Sequence, residues 1–261
     1  MKIEFLTDDN PLYVLPFFEE FFRHHASEFE IVHISGCRAM GKRSRRQLLR
    51  ELTSLYGPMG IARVLLRLAR ARLLGLVPRN RRARRFYTLA QLCRAYSIPF
   101  ARISSPNAAQ FVSKVKQRAP DLIVSVACPY ILKEPLLSLP PAGCINIHNA
   151  PLPKYKGMMP TFWQMYNAES KVGVTIHYMS LAIDEGAALF QGELEVQLGE
   201  SLDHLIRRSK RHGAHCMAAV LRQISAQSHT LLKLDKISGN YFTFPTLEQI
   251  REFRRRGLRA I

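Results

Sequence analysis

The chain has 261 residues, 47% of them hydrophobic, which suits one large domain, or one domain with a small appendage, and excludes wholesale disorder. Its five cysteines are scattered and without C-x-x-C pairing, and its nine histidines lack an H-E-x-x-H pattern, so neither a disulfide scaffold nor a zinc or other metal site is expected. Lys and Arg number 38 against 20 Asp and Glu, a net charge of +18. No run approaches the ~20 apolar residues of a membrane span, and acids occupy the place of a signal-peptide core, so a cytoplasmic protein is expected.

In chain order, residues 2–6 alternate as a first strand, and Thr7-Asp8-Asp9-Asn10-Pro11 is a turn that opens a helix. That helix is expected over 11–25, with Leu12, Leu15, Phe18 and Phe22 inward, followed by a strand over 30–35. Strand, helix and strand at this spacing begin a parallel α/β sheet. The first turn carries no G-x-G-x-x-G and no P-loop pattern, so a nucleotide-binding reading gains nothing from it.

Residues 38–85 interrupt the alternation with fifteen basic residues against a single acid, Glu51. Gly57-Pro58 breaks the chain, and 59–76 reads as an amphipathic helix. Arg63, Arg67 and Arg70 share one stripe, and Ile61, Leu65, Leu68 and Leu76 the other, although Arg72 falls on the apolar side. Arginine clustered in this way points to an anionic partner (nucleic acid, a phosphorylated metabolite or a membrane surface) or to a solvated face. Three uses of the helix stay open: packing its leucines on the domain, gripping an acceptor or RNA, and peripheral membrane contact through 59–77.

Regular order then resumes: a helix over 84–96, a strand over 101–103, a helix over 108–117 and a buried parallel strand over 121–127. A turn at 128–132 leads into a helix through Pro135, and further strands are expected over 143–148, 173–179 and 187–197. A long helix spans 201–225. Beyond it come extended pieces at 229–236 and 241–244 and a helix over 246–257, opened by Thr246 and Gln249.

Asn146 and His148 are two apart on the strand over 143–148, so they face one side near its carboxyl end, where open α/β sheets bind ligands. Asp184 follows thirty-six residues after His148, in the connection 180–186. A carboxamide to hold an oxyanion, an imidazole to manage a proton and a carboxylate to fix that imidazole are the parts of acyl transfer to an amine.

The text around them is more specific. Cys144-Ile145-Asn146-Ile147-His148 through Leu152-Pro153-Lys154-Tyr155-Lys156-Gly157, then Pro160 and Trp163, then Gly173-Val174-Thr175-Ile176-His177, then Ile183-Asp184-Glu185-Gly186, resembles the formyltransferases that use 10-formyltetrahydrofolate. That family includes enzymes acting on methionyl-tRNA, glycinamide ribonucleotide and nucleotide-linked amino sugars. The resemblance is strong over 120–195, weaker over 1–36 and 196–225, and absent between Gly36 and Arg85. Where the family often shows S-L-L-P, this chain has Ala150-Pro151-Leu152-Pro153, a change expected to reshape the acceptor side.

The resemblance implies an open, mostly parallel twisted sheet flanked by helices, Rossmann-like, with 1–225 as the catalytic domain, the basic helical insert 38–85 and a short C-terminal extension 226–261. It implies an N-formyltransferase with Asn146, His148 and Asp184 as catalytic residues. The folate would lie against Ala127, Cys128, Tyr130, Ile131, Leu132, Leu152, Pro153, Ile183 and Gly186, with 10-formyltetrahydrofolate as co-substrate and no metal. Lys154 and Lys156 flank the site and would meet a phosphate or the folate glutamate tail, or stay solvated. The expected acceptor is an amine on an anionic molecule, first a nucleotide- or lipid-linked amino sugar, second methionyl-tRNA. Another class stays open: a non-catalytic RNA- or membrane-binding protein on the same fold. The oligomeric state is left open.

Overall fold

The computed structural model describes residues 1–37, 45–234 and 239–261, with the side chains of 45–48 left aside. The strands are β1 (Lys2–Asp8), β2 (Glu30–Cys37), β3 (Phe100–Ile103), β4 (Leu122–Val126), β5 (Cys144–His148), β6 (Lys156–Gly157), β7 (Lys171–Tyr178), β8 (Ala188–Glu195) and β9 (Tyr241–Phe242). Seven of them form one sheet in the spatial order β3-β2-β1-β4-β5-β7-β8, and β6 pairs with β9 apart from it. From β3 to β5 the sheet is parallel; β7 and β8 are antiparallel additions. This is the α/β architecture expected from the sequence.

The helices are α1 (Leu15–His25), α2 (Arg45–Leu74), α3 (Leu89–Ala95), α4 (Ala109–Arg118), α5 (Pro160–Tyr166), α6 (Leu202–Ser225) and α7 (Leu247–Arg255). On β1, Ile3 and Phe5 enter the core shared with α1 and α6, whereas Leu6 enters the one under α4. Glu4, fully buried on this central strand, is held by the Arg118 fork at 2.8 and 2.6 Å, which satisfies a charge that burial alone would neutralise. A third cluster joins Leu55, Tyr155, Phe162, Trp163, Leu205, Ile250 and Phe253, so the C-terminal helix and the first half of α2 close over the loop that follows β5.

Several boundaries differ from expectation for local reasons. The first helix starts at Leu15, because Asn10 closes a turn by accepting from Leu12 N–H at 2.9 Å and Val14 N–H at 3.1 Å. The helix expected from 84 starts only at Leu89, where Thr88 caps it; Phe86 N–H is already taken by Glu19 at 2.6 Å. Residues 134–138 form turns, not the expected helix. The basic insert's first residues, 38–44, and positions 235–236 of an expected extended piece fall outside the described residues.

In α2 the break at Gly57 is present (φ 73, ψ 171), and the buried face falls between the arginine stripe and the apolar stripe read from the sequence. Gly60, Val64 and Ala71 face the protein, with Arg67 reaching the buried Asp203 at 3.0 Å. Of the apolar stripe read from the sequence, Ile61 and Leu68 are half-buried, while Leu65 and Leu76 lie in water. No helix among the described residues is long and apolar enough to cross a membrane.

Candidate active site at the β5–β7 seam

The parallel set leaves β1 in both directions, so the strand order reverses between β1 and β4, and the carboxyl ends of β1, β4 and β5 share one rim. β5 carries Asn146 and His148 there. Its antiparallel pairing with β7 sets His177 opposite Asn146. His177 Nδ1 donates to the Tyr178 carbonyl at 2.8 Å, which leaves Nε2 to accept from the Asn146 amide at 3.3 Å. Burial holds His177 below the ordinary imidazole range, in keeping with a neutral ring that orients the carboxamide.

His148 is buried, and its Nε2 donates to the Tyr155 carbonyl at 2.8 Å. Its other nitrogen, Nδ1, faces Asp184 Oδ2 at 3.6 Å, ion-pair range but longer than a hydrogen bond. Asp184 Oδ1 stands 3.7 Å from His177 Nε2, and Oδ2 accepts from Gly157 N–H at 2.9 Å. The three residues named from the sequence therefore meet, with His177 as a fourth. In one respect the arrangement departs from the catalytic-triad analogy. A triad leaves the far imidazole nitrogen open to substrate, whereas here a backbone carbonyl occupies it. The nitrogen that can exchange a proton is Nδ1, the one the carboxylate watches. The Asp184 carboxylate therefore faces the one imidazole nitrogen of His148 that no backbone carbonyl takes.

Backbone constraint surrounds this group. Ala127, Tyr155 and Asp184 all sit in the left-handed region (φ 54, 60 and 55), a conformation that non-glycine residues keep where surrounding structure over-determines it. A Cβ on Gly186 would come within 1.7 Å of the Tyr178 carbonyl oxygen, so the Asp184 loop can lie this close to β7 only with glycine there. Gly157 (φ 92) is pressed against Phe242, and β9, with Asn240 beside it, pins the 155–158 loop: Tyr155 N–H donates to Asn240 Oδ1, Lys156 N–H to Asn240 O at 3.1 Å and Met158 N–H to Phe242 O at 2.9 Å. Phe242 stacks on Tyr155 and Trp163, so Trp163 is a packing residue.

The remaining expected residues divide by exposure. Ala127 and Ile131 are exposed after β4, with Asn107 holding the Ile131 carbonyl at 2.9 Å and Tyr130 donating to Ser104 O. Cys128 is part-buried, its sulfur 3.7 Å from that of Cys37. Leu132 packs its side chain into the core with Phe111 and Leu136, so only its backbone is at the rim. Leu152 is buried too, its N–H given to Thr175 Oγ1 at 3.0 Å. The Leu152-Pro153 bond is cis, and both residues border a cavity of about 340 Å³ that Lys154 also lines. Lys156 is paired with Glu185 at 2.7 Å. Ile183 is exposed, and Gly186 lies under Tyr178. A larger cavity, about 570 Å³, lies at the amino ends of β1 and β5 around Met1 and Gly143, across the sheet from His148. Among the described residues, no three His, Cys, Asp or Glu side chains are grouped to hold a metal.

Sequence reasoning missed a second polar group. Lys210 on α6 is buried and donates to Asn149 Oδ1 at 2.6 Å, while Asn149 Nδ2 donates to Ser209 Oγ at 2.6 Å. Burial pushes the Lys210 ammonium down to about 8; burial, then the neighbouring Asp9 charge, pushes the Asp8 carboxyl at the end of β1 up to about 6. The available signal was periodicity, since Lys210 falls on the stripe of Leu202, Leu205, Ser209, Gly213 and Met217 that α6 buries.

The model of a family described as formyl transferase matches residues 77–221. A methionyl-tRNA formyltransferase of Pelobacter propionicus is 36% identical over 131 residues, which are 50% of this chain and 41% of that relative, so the chain aligns with less than half of the relative's length. A sugar N-formyltransferase of Shewanella sp FDAARGOS_354 superposes with a TM-score of 0.55 at 20% identity, over 93% of this chain and 76% of that one. WlaRD, a sugar 3N-formyl transferase solved in the presence of dTDP and 5-N-formyl-THF, gives 0.56 at 16% identity, over all of this chain and 83% of that one. These two likenesses concern the fold.

Proposed function

Because the chain belongs to the formyl transferase family, we propose that the β5–β7 seam transfers a formyl group from 10-formyltetrahydrofolate to a primary amine of an anionic acceptor. The observation that carries this reading is the convergence of Asn146, His148 and Asp184, from separate elements, on one rim. The amine nitrogen attacks the formyl carbon and forms a C–N bond. Asn146, oriented by His177, donates its second amide N–H to the oxyanion; loss of one such donor costs roughly 10²–10³ in rate. The amine proton passes to His148 Nδ1, where Asp184 balances the charge, and returns to the departing folate nitrogen as the bond to it breaks.

The loops proposed for the pterin suit a flat heterocycle: Ile131 on one and Leu181 and Ile183 on the other stand exposed. The proposed organisation is a catalytic unit over 1–225 carrying the insert 38–85, with the extension 226–261 bracing the 155–158 loop through β9. For the acceptor, the sugar-acting fold neighbours and the basic surface favour a nucleotide- or lipid-linked amino sugar. Methionyl-tRNA is the second reading, favoured by the name of the Pelobacter relative. Turnover of 10-formyltetrahydrofolate with UDP-, GDP- and dTDP-linked amino sugars and with charged initiator tRNA tests both. Transfer to a sugar amine supports the first reading, transfer to tRNA replaces it with the second, and transfer to none of these contradicts both.

A further inference from the structure

Beyond Gly57 the second half of α2 turns one face to the domain and leaves another in water. The exposed face carries Met59, Ala62, Leu66, Ala69 and Leu73, a repeat of three and four residues that aligns them along one side of the helix, and Leu76 follows in the turn just past its end. The large side chains are bare: Met59 is 73% exposed, Leu66 71%, Leu73 69% and Leu76 76%. Isolated exposed leucines are ordinary; a continuous seam of them marks a surface that is covered in use.

The flanks of the seam identify what covers it. Arg63, Arg70 and Arg72 border it, and no acid occurs anywhere between Glu51 and Asp121. At its far end the guanidiniums of Arg70, Arg79 and Arg85 lie 5.8, 5.0 and 5.4 Å from the centre of the Tyr87 ring. Three like charges on one ring, with Arg79 Nε buried and unbonded, leave an unmatched demand for anions. Among the described residues, none of these arginines forms a salt bridge; Arg85 alone feels a carboxylate, that of Glu19, at longer range. A second copy of this helix would set arginine against arginine. A nucleic acid would satisfy the arginines and leave the leucines wet. A bilayer with anionic headgroups satisfies both, its acyl boundary taking the leucines and its phosphates the guanidiniums.

We propose that the outward face of α2 from Met59 to Leu73, with Leu76 in the turn that follows, is a docking surface for an anionic phospholipid bilayer. Tyr56, just before the kink, shares a 2.6 Å hydrogen bond with Tyr13, which follows the carboxyl end of β1, so the docked helix is tied to the rim that carries the site. The surface does not depend on the formyl-transfer reading, and the two fail separately.

The test is co-sedimentation of the full chain with vesicles of phosphatidylcholine alone or mixed with phosphatidylglycerol. Binding is expected to the mixed vesicles and not to the neutral ones. The double change Leu66→Ser and Leu73→Ser is expected to weaken it by about tenfold or more, with an unaltered Tm because both positions are exposed. Leu73→Trp adds a direct readout, a blue-shifted emission on mixed vesicles that a purely electrostatic contact would not give. Absence of vesicle binding overturns the proposal. So does vesicle binding indifferent to the two leucines, or a dimer in solution that the serine changes dissociate. Binding to duplex RNA that the leucine changes abolish, with no vesicle binding, overturns it too. His148→Ala is expected to leave vesicle binding intact whatever it does to transfer.

Discussion

At the β5–β7 seam polar side chains are buried and partnered: Asn146 with His177, His148 with the Tyr155 carbonyl, Asp184 with Gly157 N–H. Along the second half of α2 apolar side chains stand in water, and Arg63, Arg70 and Arg72 stand beside them without a salt bridge, whereas Arg67 on the inner side is paired with Asp203. Each region carries a cost that a stand-alone fold would avoid. The seam holds Asp184 and Tyr155 in left-handed backbone to bring three elements within about 4 Å of each other, which the closing geometry of a reaction requires. The helix exposes leucines that its own inner face, built on Gly60, Val64 and Ala71, does not need. Strain held by surrounding structure belongs with chemistry inside the molecule; unsatisfied surface belongs with something outside it.

Changes at the seam should therefore be severe for activity, and changes on the outward helix face silent in solution. The largest effect is expected at His148. His148→Ala should lower formyl transfer by roughly 10²–10⁴, with folate binding measured by fluorescence titration largely kept. Separating Glu4 from its fork should be the largest loss of stability: Arg118→Met leaves a carboxylate in the centre of the sheet and should cost roughly 3–5 kcal/mol in urea unfolding. Gly186→Ala comes next. Its Cβ displaces the Asp184 loop from β7, so activity should fall more than the roughly 1–3 kcal/mol of stability lost to overpacking.

The Lys210 amine has a smaller signature with a definite sign. Its folded value, about 8, lies below its ordinary 10.5, so the fold favours the neutral amine. That contribution is complete above 10.5 and is lost as pH falls through 8. Between pH 8 and 10.5 the stability of the wild type should gain on that of Lys210→Met by on the order of 3 kcal/mol, read from paired unfolding curves. At the small end, Leu66→Ser should move stability by less than about 0.5 kcal/mol, the behaviour of a surface position.

The sheet was legible in the residues because its strands are short apolar runs, and the alternation along β5 was enough to put Asn146 and His148 on one face. The Asp184 loop was legible through its motif. Partners that arrive from distant chain were not. His177 stood in a quoted motif without a role, because only the antiparallel register of β5 with β7 sets it opposite Asn146. The inward side of α2 was left open for a similar reason: hydrophobic periodicity says that a helix has two faces, and tertiary anchors choose between them. Here the Arg67–Asp203 pair and the small Gly60 and Ala71 made the choice, and the leucines were left outside. The late start of α3 depended on Glu19, sixty-seven residues away, reaching Phe86.

Asp184→Asn isolates the electrostatic part of the site, since the amide keeps the shape and removes the charge facing His148 Nδ1. Single-turnover formyl transfer from 10-formyltetrahydrofolate should slow by roughly 10²–10³ across the pH range, with donor binding unchanged. Transfer at the wild-type rate would show that no proton on that imidazole needs the carboxylate, and that the roles assigned at the seam are wrong.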